Sequence, residues 1–483
     1  MARRRNPYPA LVVLAVVPAL LLGGCWRFAD GRAPDEASVT LPSSTAVVVE
    51  PQTLPTPVLS VRRAPATLAR DVNLAAFSAE LSAFLPQIDD TSCVAVSVDG
   101  LPVGGANTDL ALRPASNVKL ITAAVALEVL GADFTYTTEV RGTLENGVVT
   151  GDLWFVGGGD PLLSNEWWKG PNTKYPPFNV TSIEQLAANI RDAGVTRIDG
   201  TVVGDPSRYD DEWYAPSWGD DVRFTEGGPI SGLLVDDSRE SNTVSSNDPA
   251  IGAAAVLTQA LRDVGVQVAG APTKGSVPAD TAVVASITSQ PLPAVLAEML
   301  TTSDNNTAEM VLKEIGLQAG AGGTREAGLA VVTDTLQSWG VPTDAVVLVD
   351  GSGLSDDNRL TCGVMLAVVQ HQSFEDPVGQ GLAVAGAAGG TLSDAFVGTD
   401  LEGALLGKTG TLYNYDDGIG GKPAAKALSG FVPVEGGGAI EFAMLLNGPQ
   451  ISEIVEYRPI WDAFGAVLSS YPSGPTAADL GPR

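Results

Sequence analysis

The middle of this chain differs in texture from both its ends, and that break limits the folds open to it more than any other feature. Before the break, a helical run with Leu74, Phe77, Leu81 and Phe84 starts at Asp71 and stops at Pro86. The alternating segment Cys93-Val-Ala-Val-Ser-Val98 then ends in the Asp99-Gly100 turn, and an apolar helix over 116–130 is stopped by Gly131. Residues 134–285 carry instead short strands such as Gly151-Asp-Leu-Trp-Phe-Val156, glycine turns, and two helices near 182–193 and 250–264 ended by Gly194 and Gly265. These two helix ends match each other either as a weak internal repeat or as one stop chemistry used twice. Helical texture returns over 292–300, 306–315 and 328–339, followed by strands near 403–412, 427–434 and 439–446 and a helix over 451–469. Such an order describes one mixed α+β domain, residues 71–140 and 286–471, interrupted by a β-rich insertion of two small domains over 141–285. The tail, 472–483, reads as disordered.

What precedes residue 71 is of another kind. Arg3, Arg4 and Arg5 lead into an apolar stretch over 10–22 and then Gly23, Gly24 and Cys25, the pattern of an export signal over residues 1–25. The stretch is shorter than the ~20 residues a spanning helix needs. A lipoprotein leader acylated at Cys25 and a retained membrane anchor are the alternative readings. Residues 26–70, rich in Pro, Ser and Thr, form a tether. Beyond it, residues 71–483 carry 52 acidic against 20 basic residues, a sign that repels phosphate backbones, so nucleic acid is excluded as a partner. The single histidine, His371, argues against a Ser-His-Asp triad or a multi-histidine metal site, and no metal or organic cofactor is implied. Any nucleophile here needs another base. In an exported chain Cys93 and Cys362 form either a disulfide or two separate buried thiols.

Three short motifs carry chemistry. Ser116-Asn117-Val118-Lys119 opens the helix after Pro114, with its serine and amine one turn apart on one face. Ser303-Asp304-Asn305 lies between two apolar helices, although turns use the same residue types and Ser245-Ser246-Asn247 has the same S-x-N pattern. Lys408-Thr409-Gly410-Thr411 lies on a strand edge, where glycine would let a substrate backbone approach. Each is weak alone. Together and in this order they are the set of penicillin-binding proteins and class A β-lactamases.

The chain resembles the type-4 (class C, low-molecular-mass) penicillin-binding proteins, which are D-alanyl-D-alanine carboxypeptidases/endopeptidases, over roughly residues 75–470. Val156-Gly-Gly-Gly-Asp-Pro161, Gly228-Pro-Ile-Ser231 with Val235-Asp236, and Asp350-Gly-Ser-Gly-Leu-Ser355 with Asn358-Arg359 are also similar to that family's segments. So is the gap of 186 residues between Ser116 and Ser303, which the family fills with two extra domains. The resemblance implies a serine β-lactamase/DD-peptidase-like fold, an antiparallel sheet flanked by helices. It implies that Ser116 attacks the penultimate D-Ala carbonyl after passing its proton to Lys119, kept neutral by burial and by the Lys408 cation. The N–H groups of Ser116 and Thr411 would hold the oxyanion, where single donors are worth ~3 kcal/mol in other hydrolases. Lys408, Thr409, Gly410 and Thr411 would bind the terminal carboxylate end of the substrate. Ser303 would relay a proton to the leaving nitrogen and Asn305 would hold the substrate amide.

Peptidoglycan stem peptides are the implied substrates, β-lactam antibiotics the acylating inhibitors, and the extracytoplasmic face of the envelope the place of action. Asp205 corresponds to an aspartate that reaches the free amine of the peptide stem, with a loop cap as the alternative. Arg359 would meet a substrate carboxylate or form a structural ion pair, and His371 would close a helix. One departure is the extra segment within 413–427, which should overhang the K-T-G strand. Two other functions stay open on the residues: a non-catalytic envelope peptidoglycan-binding protein, and a β-lactamase, for which no deacylating carboxylate is identifiable.

Overall fold

The computed structural model describes residues 64–480 except 169–173, 221, 224, 242, 414–423 and 435–436. The leader, residues 26–63 of the tether and most of the 413–427 segment lie outside the described residues. The first helix, α1 (Pro65–Phe84), begins six residues before Asp71, since Pro65 fits the first helical position, and is followed by β1 (Cys93–Val98) and β2 (Leu101–Ala106). Then come α2 (Val118–Leu130), β3 (Thr137–Glu145), β4 (Val148–Val156), α3 (Ile183–Asp192), β5 (Val202–Asp205), α4 (Pro249–Asp263) and β6 (Val283–Thr288). Helices α5 (Leu292–Thr302), α6 (Asn305–Gln318), α7 (Arg325–Ser338) and α8 (Cys362–Gln370) precede β7 (Leu406–Leu412), β8 (Ala424–Pro433), β9 (Ala439–Gly448) and α9 (Ile454–Leu468).

The two ends of the chain build one sheet. Among the described residues its order is Ala383–Val384, β7, β8, β9, β1, β2, with every neighbouring pair antiparallel. All six residues of β1 are buried, which the alternation explains: Cys93 and Ala95 face a core built with α2, α5, α6 and α8, while Val94, Val96 and Val98 face a second core with α1 and α9. The sheet is therefore covered on both faces. Cys93 and Cys362 are joined, with Cα atoms 5.9 Å apart, tying β1 to the first turn of α8.

The middle of the chain forms a separate mixed sheet. Here β6, β3 and β4 pair antiparallel, and β5 runs parallel to β4. Helices α3 and α4 cover it with Ile183, Leu186, Ile190, Val256, Leu257 and Leu261. After each helix a glycine with positive φ, Gly194 or Gly265, turns the chain into a two-residue strand, and those strands, Arg197–Ile198 and Gln267–Val268, pair in parallel with each other. The C-terminal tail departs from its expected disorder. Asn73 of α1 donates to Pro475 O at 3.2 Å and accepts from Gly474 N, and a short helix Ala477–Leu480 follows.

Candidate active site

Ser116 is the middle residue of a 3-10 turn, Ala115–Asn117, that runs into α2. The turn is tight: Ala115 has φ +48, a left-handed conformation that costs a non-glycine residue of order 1–3 kcal/mol. Two glycines close on it. A side chain at Gly353 (φ +84) would overlap the Ala115 carbonyl, and a Cβ at Gly410 would lie 2.9 Å from Pro114 O and 3.0 Å from Ala115 Cβ. The glycine of K-T-G, expected to admit a substrate backbone, thus first admits the protein's own turn at Pro114 and Ala115.

One turn into the helix, Lys119 is completely buried, and its Nζ lies 3.0 Å from Ser116 Oγ, 2.6 Å from Asn305 Oδ1 and 2.7 Å from Ser352 O. The Asn305 amide is oriented by its other end, since Nδ2 donates to the Glu226 carbonyl at 2.6 Å. Two of the three partners of Lys119 are thus carbonyl oxygens that can only accept. A neutral amine has two N–H groups and one lone pair, so both N–H groups go to Asn305 and Ser352 and the lone pair is left facing the Ser116 hydroxyl. Burial lowers the Lys119 pKa to about 8, against the upward pull of Asp304, Asp350, Glu309 and Glu226. The repulsion between Lys119 and Lys408 expected from the sequence shows in the lowering of Lys408 rather than of Lys119.

Lys408 is itself driven well below its ordinary value, by burial first and then by Lys119 and Lys426. Its Nζ donates to Ser303 Oγ at 2.8 Å and to Thr409 O at 2.8 Å, while Asn117 Nδ2 donates to Lys408 O at 3.1 Å. Ser303 ends α5 in a left-handed conformation, φ +67, and Asp304 caps α6 by accepting from Thr307 N at 2.6 Å. The turn reading of this tripeptide holds for Asp304, which starts α6, whereas Ser303 meets Lys408 and Asn305 meets Lys119. Ser245 forms no part of that cluster.

Ser116, Ser303, Asn305, Thr409, Gly410 and Thr411 line a cleft of about 1070 Å³ whose lining also includes Asp236, Asp237 and Arg239. Asp205 is not brought to it. Its side chain is 1% exposed, with Oδ1 accepting from Ser207 N at 2.9 Å and Oδ2 from Val277 N at 2.7 Å, so it is the cap that ties two loops of the second sheet together. Arg359 donates to the carbonyls of Asp356 and Asn358, and His371 ends α8 stacked on Trp339 at 3.9 Å. Among the described residues no cluster of His, Cys, Asp and Glu is placed to hold a metal ion.

Comparison with known proteins agrees with this geometry. Residues 79–244 and 230–464 match the D-Ala-D-Ala carboxypeptidase 3 (S13) family. The chain belongs to that family. It is 32% identical over 416 residues to a D-alanyl-D-alanine carboxypeptidase of an Actinomadura species, covering 70% of this chain and 73% of the relative. It is 29% identical to carboxypeptidase DacB of Mycolicibacterium smegmatis, covering 95% of each. Its fold matches the crystal structure of penicillin binding protein 4 from Haemophilus influenzae with a TM-score of 0.66 at 20% identity, over 81% of this chain and 99% of that one. This S13 peptidase is a serine-type D-Ala-D-Ala carboxypeptidase with a type-4 penicillin-binding protein fold.

Several residues that shape the S13 site carry no motif of their own. Glu309, fully buried on α6, accepts from the N–H groups of Gly351 and Ser352 at 2.8 Å each and pairs with Arg325 at 3.0 Å. It thereby holds the loop whose Ser352 carbonyl faces Lys119. Asp350 accepts from Gly353 N, Ser355 N, Asn358 Nδ2 and Trp218 Nε1, which accounts for the Asp350–Asn358 segment recognised in the sequence. Glu226 acts through its backbone oxygen, which no side-chain pattern reports. Lys426 joins the K-T-G-T strand only through strand pairing.

Proposed function

We propose that Ser116 is the acylated nucleophile and Lys119 its base, in an enzyme that cleaves D-alanyl-D-alanine ends and also opens cross-links of peptidoglycan. The reading rests on one observation: two obligate acceptors flank Lys119 and leave its third position to Ser116. The Ser116 oxygen bonds to the carbonyl carbon of the penultimate D-Ala while its proton passes to neutral Lys119. Backbone N–H groups of Ser116 and Thr411 hold the oxyanion. The C–N bond then breaks as the proton held by Lys119 passes by way of Ser303, which hydrogen-bonds Lys408, to the leaving amine, so that Lys119 is neutral again. Water attacks the ester carbonyl, Lys119 takes its proton, and Ser116 leaves with one, so the enzyme is restored. Lys408, Thr409 and Thr411 bind the terminal carboxylate and Asn305 the substrate amide.

A β-lactam offers the same amide beside a carboxylate and acylates Ser116 likewise. Residues 141–285 serve as the accessory insertion that contributes Asp236, Asp237 and Arg239 to the lining of the cleft. The chain works on the extracytoplasmic face of the envelope, carried there by its leader, with acylation of Cys25 as the anchor. No described helix is long and apolar enough to cross a membrane. Labelling with a fluorescent penicillin tests the chemistry: stable labelling of the parent chain and none of Ser116→Ala is expected, and equal labelling of both would sink the assignment. Release of the label faster than cell-wall peptide turnover would point to a β-lactamase instead.

A further inference from the structure

Lys426 lies outside the three motifs, yet it lines the cleft beside them. In the register of β7 and β8 it stands directly opposite Thr411, so the two side chains share one face of the sheet, and Thr409, two residues before Thr411, shares that face as well. Lys426 Nζ donates to Thr411 Oγ1 at 2.9 Å. An ammonium has no acceptor, so Thr411 accepts in this bond and its own O–H remains to donate to whatever enters the cleft. The cation is held from behind by aromatic faces, its Nζ lying 4.2 Å from the centre of the Tyr457 ring and 5.2 Å from that of Trp461 on α9. Burial first, and then Arg458, lower the Lys426 pKa to about 8, which still leaves most of it an ammonium at pH 7, held against the aromatic faces. Arg458 lies beside them, with Nη2 3.7 Å from Asp394 Oδ1. On the same strand edge, Lys408 is spent on Ser303 and the Thr409 carbonyl.

We propose that Lys426 makes this cleft selective for substrates with a free carboxylate beside the scissile bond, by fixing Thr411 as a hydrogen-bond donor and setting a cation on the face of the sheet that Thr409 and Thr411 share. Lys426 is a specificity-determining residue that acts through Thr411 and is not one of the reacting groups. The inference rests on the acyl-serine reading above. It predicts that the carboxylate is read by the Lys426 cation together with the Thr411 hydroxyl that it orients.

The test compares acylation of the full chain by benzylpenicillin and by its methyl ester, followed by intact-protein mass spectrometry. The ratio of the two second-order rate constants reports carboxylate selectivity and cancels general losses of activity. Lys426→Met, which keeps the apolar stem against Tyr457 and Trp461, should lower this ratio about tenfold, and Lys426→Arg should restore most of it. If a thermal melt shows that Lys426→Met does not fold, Thr411→Val, which removes the bridging hydroxyl, must lower the ratio in the same way. A parental ratio in the folded variant overturns the proposal while leaving Ser116 acylation intact. Failure of the parent chain to be acylated at all is a different result, and it overturns the acyl-serine reading.

Discussion

Asn305→Asp puts the account of Lys119 to its hardest test, because it changes one atom and reverses the electrostatics of the site. The new carboxylate would replace a carbonyl oxygen 2.6 Å from Lys119 Nζ, in surroundings where the amine is fully buried. An opposite charge at such a distance stabilises the ammonium by roughly 1–3 pKa units. The carboxylate also has no N–H for the Glu226 carbonyl, so the orienting bond is lost. Starting from a Lys119 pKa of about 8, the neutral fraction at pH 7.5 is about one quarter. A rise of about two units lowers it to about three in a thousand, an expected loss of about 80-fold in acylation rate. The sign is fixed by the mechanism: the base must be neutral, so acylation rises with pH through the Lys119 pKa, and the substitution moves that rise upward. Second-order acylation rates by a fluorescent penicillin, taken from pH 6 upward, give the midpoint directly. A profile with its midpoint unmoved would refute Lys119 as the titrating base, whatever the loss in rate.

Other substitutions probe the supports of the site. Gly353→Ala should abolish acylation and destabilise the fold by about 3 kcal/mol or more, as measured by urea unfolding, because the added methyl overlaps the Ala115 carbonyl at a positive φ. Glu309→Ala removes the acceptor of two loop N–H groups and a buried partner of Arg325, and should cost about 3–5 kcal/mol in unfolding free energy, with slower penicillin labelling of the protein that remains folded. Replacing Cys93 and Cys362 together by Ala opens a loop spanning 269 residues and should lower stability by about 2–5 kcal/mol, read as a drop in melting temperature relative to the oxidised parent.

How far the site was legible depended on whether its geometry is local. Ser116 and Lys119 are one helical turn apart, so the helix alone brings them together, and their spacing in the sequence reports it. The Ser303 tripeptide was readable as an interhelical turn, but which of its residues face the cleft was set by the left-handed backbone at Ser303 and by Asp304 turning aside to cap α6. Asp205 shows the opposite failure. The residue type suited recognition of an amine, but backbone N–H groups already claim both carboxylate oxygens. Gly410 was singled out for approach of a substrate backbone, and the chain that approaches it in the structure is that of Pro114 and Ala115.

By itself the sequence determined the interrupted architecture, through the change from helical periods to short strands and glycine turns and back. It also determined the chemical inventory: a serine one helical turn from a lysine, a chain with one histidine, and a K-T-G strand. The tertiary structure alone decided what surrounds the amine. The carbonyls of Ser352 and Glu226 and the carboxylate of Glu309 are far from Lys119 in the chain, and a backbone oxygen has no residue signature. Lys426 reaches Thr411 only through the register of β7 against β8. Side-chain patterns record which groups are available, but hydrogen bonding and strand pairing across the fold decide which groups meet.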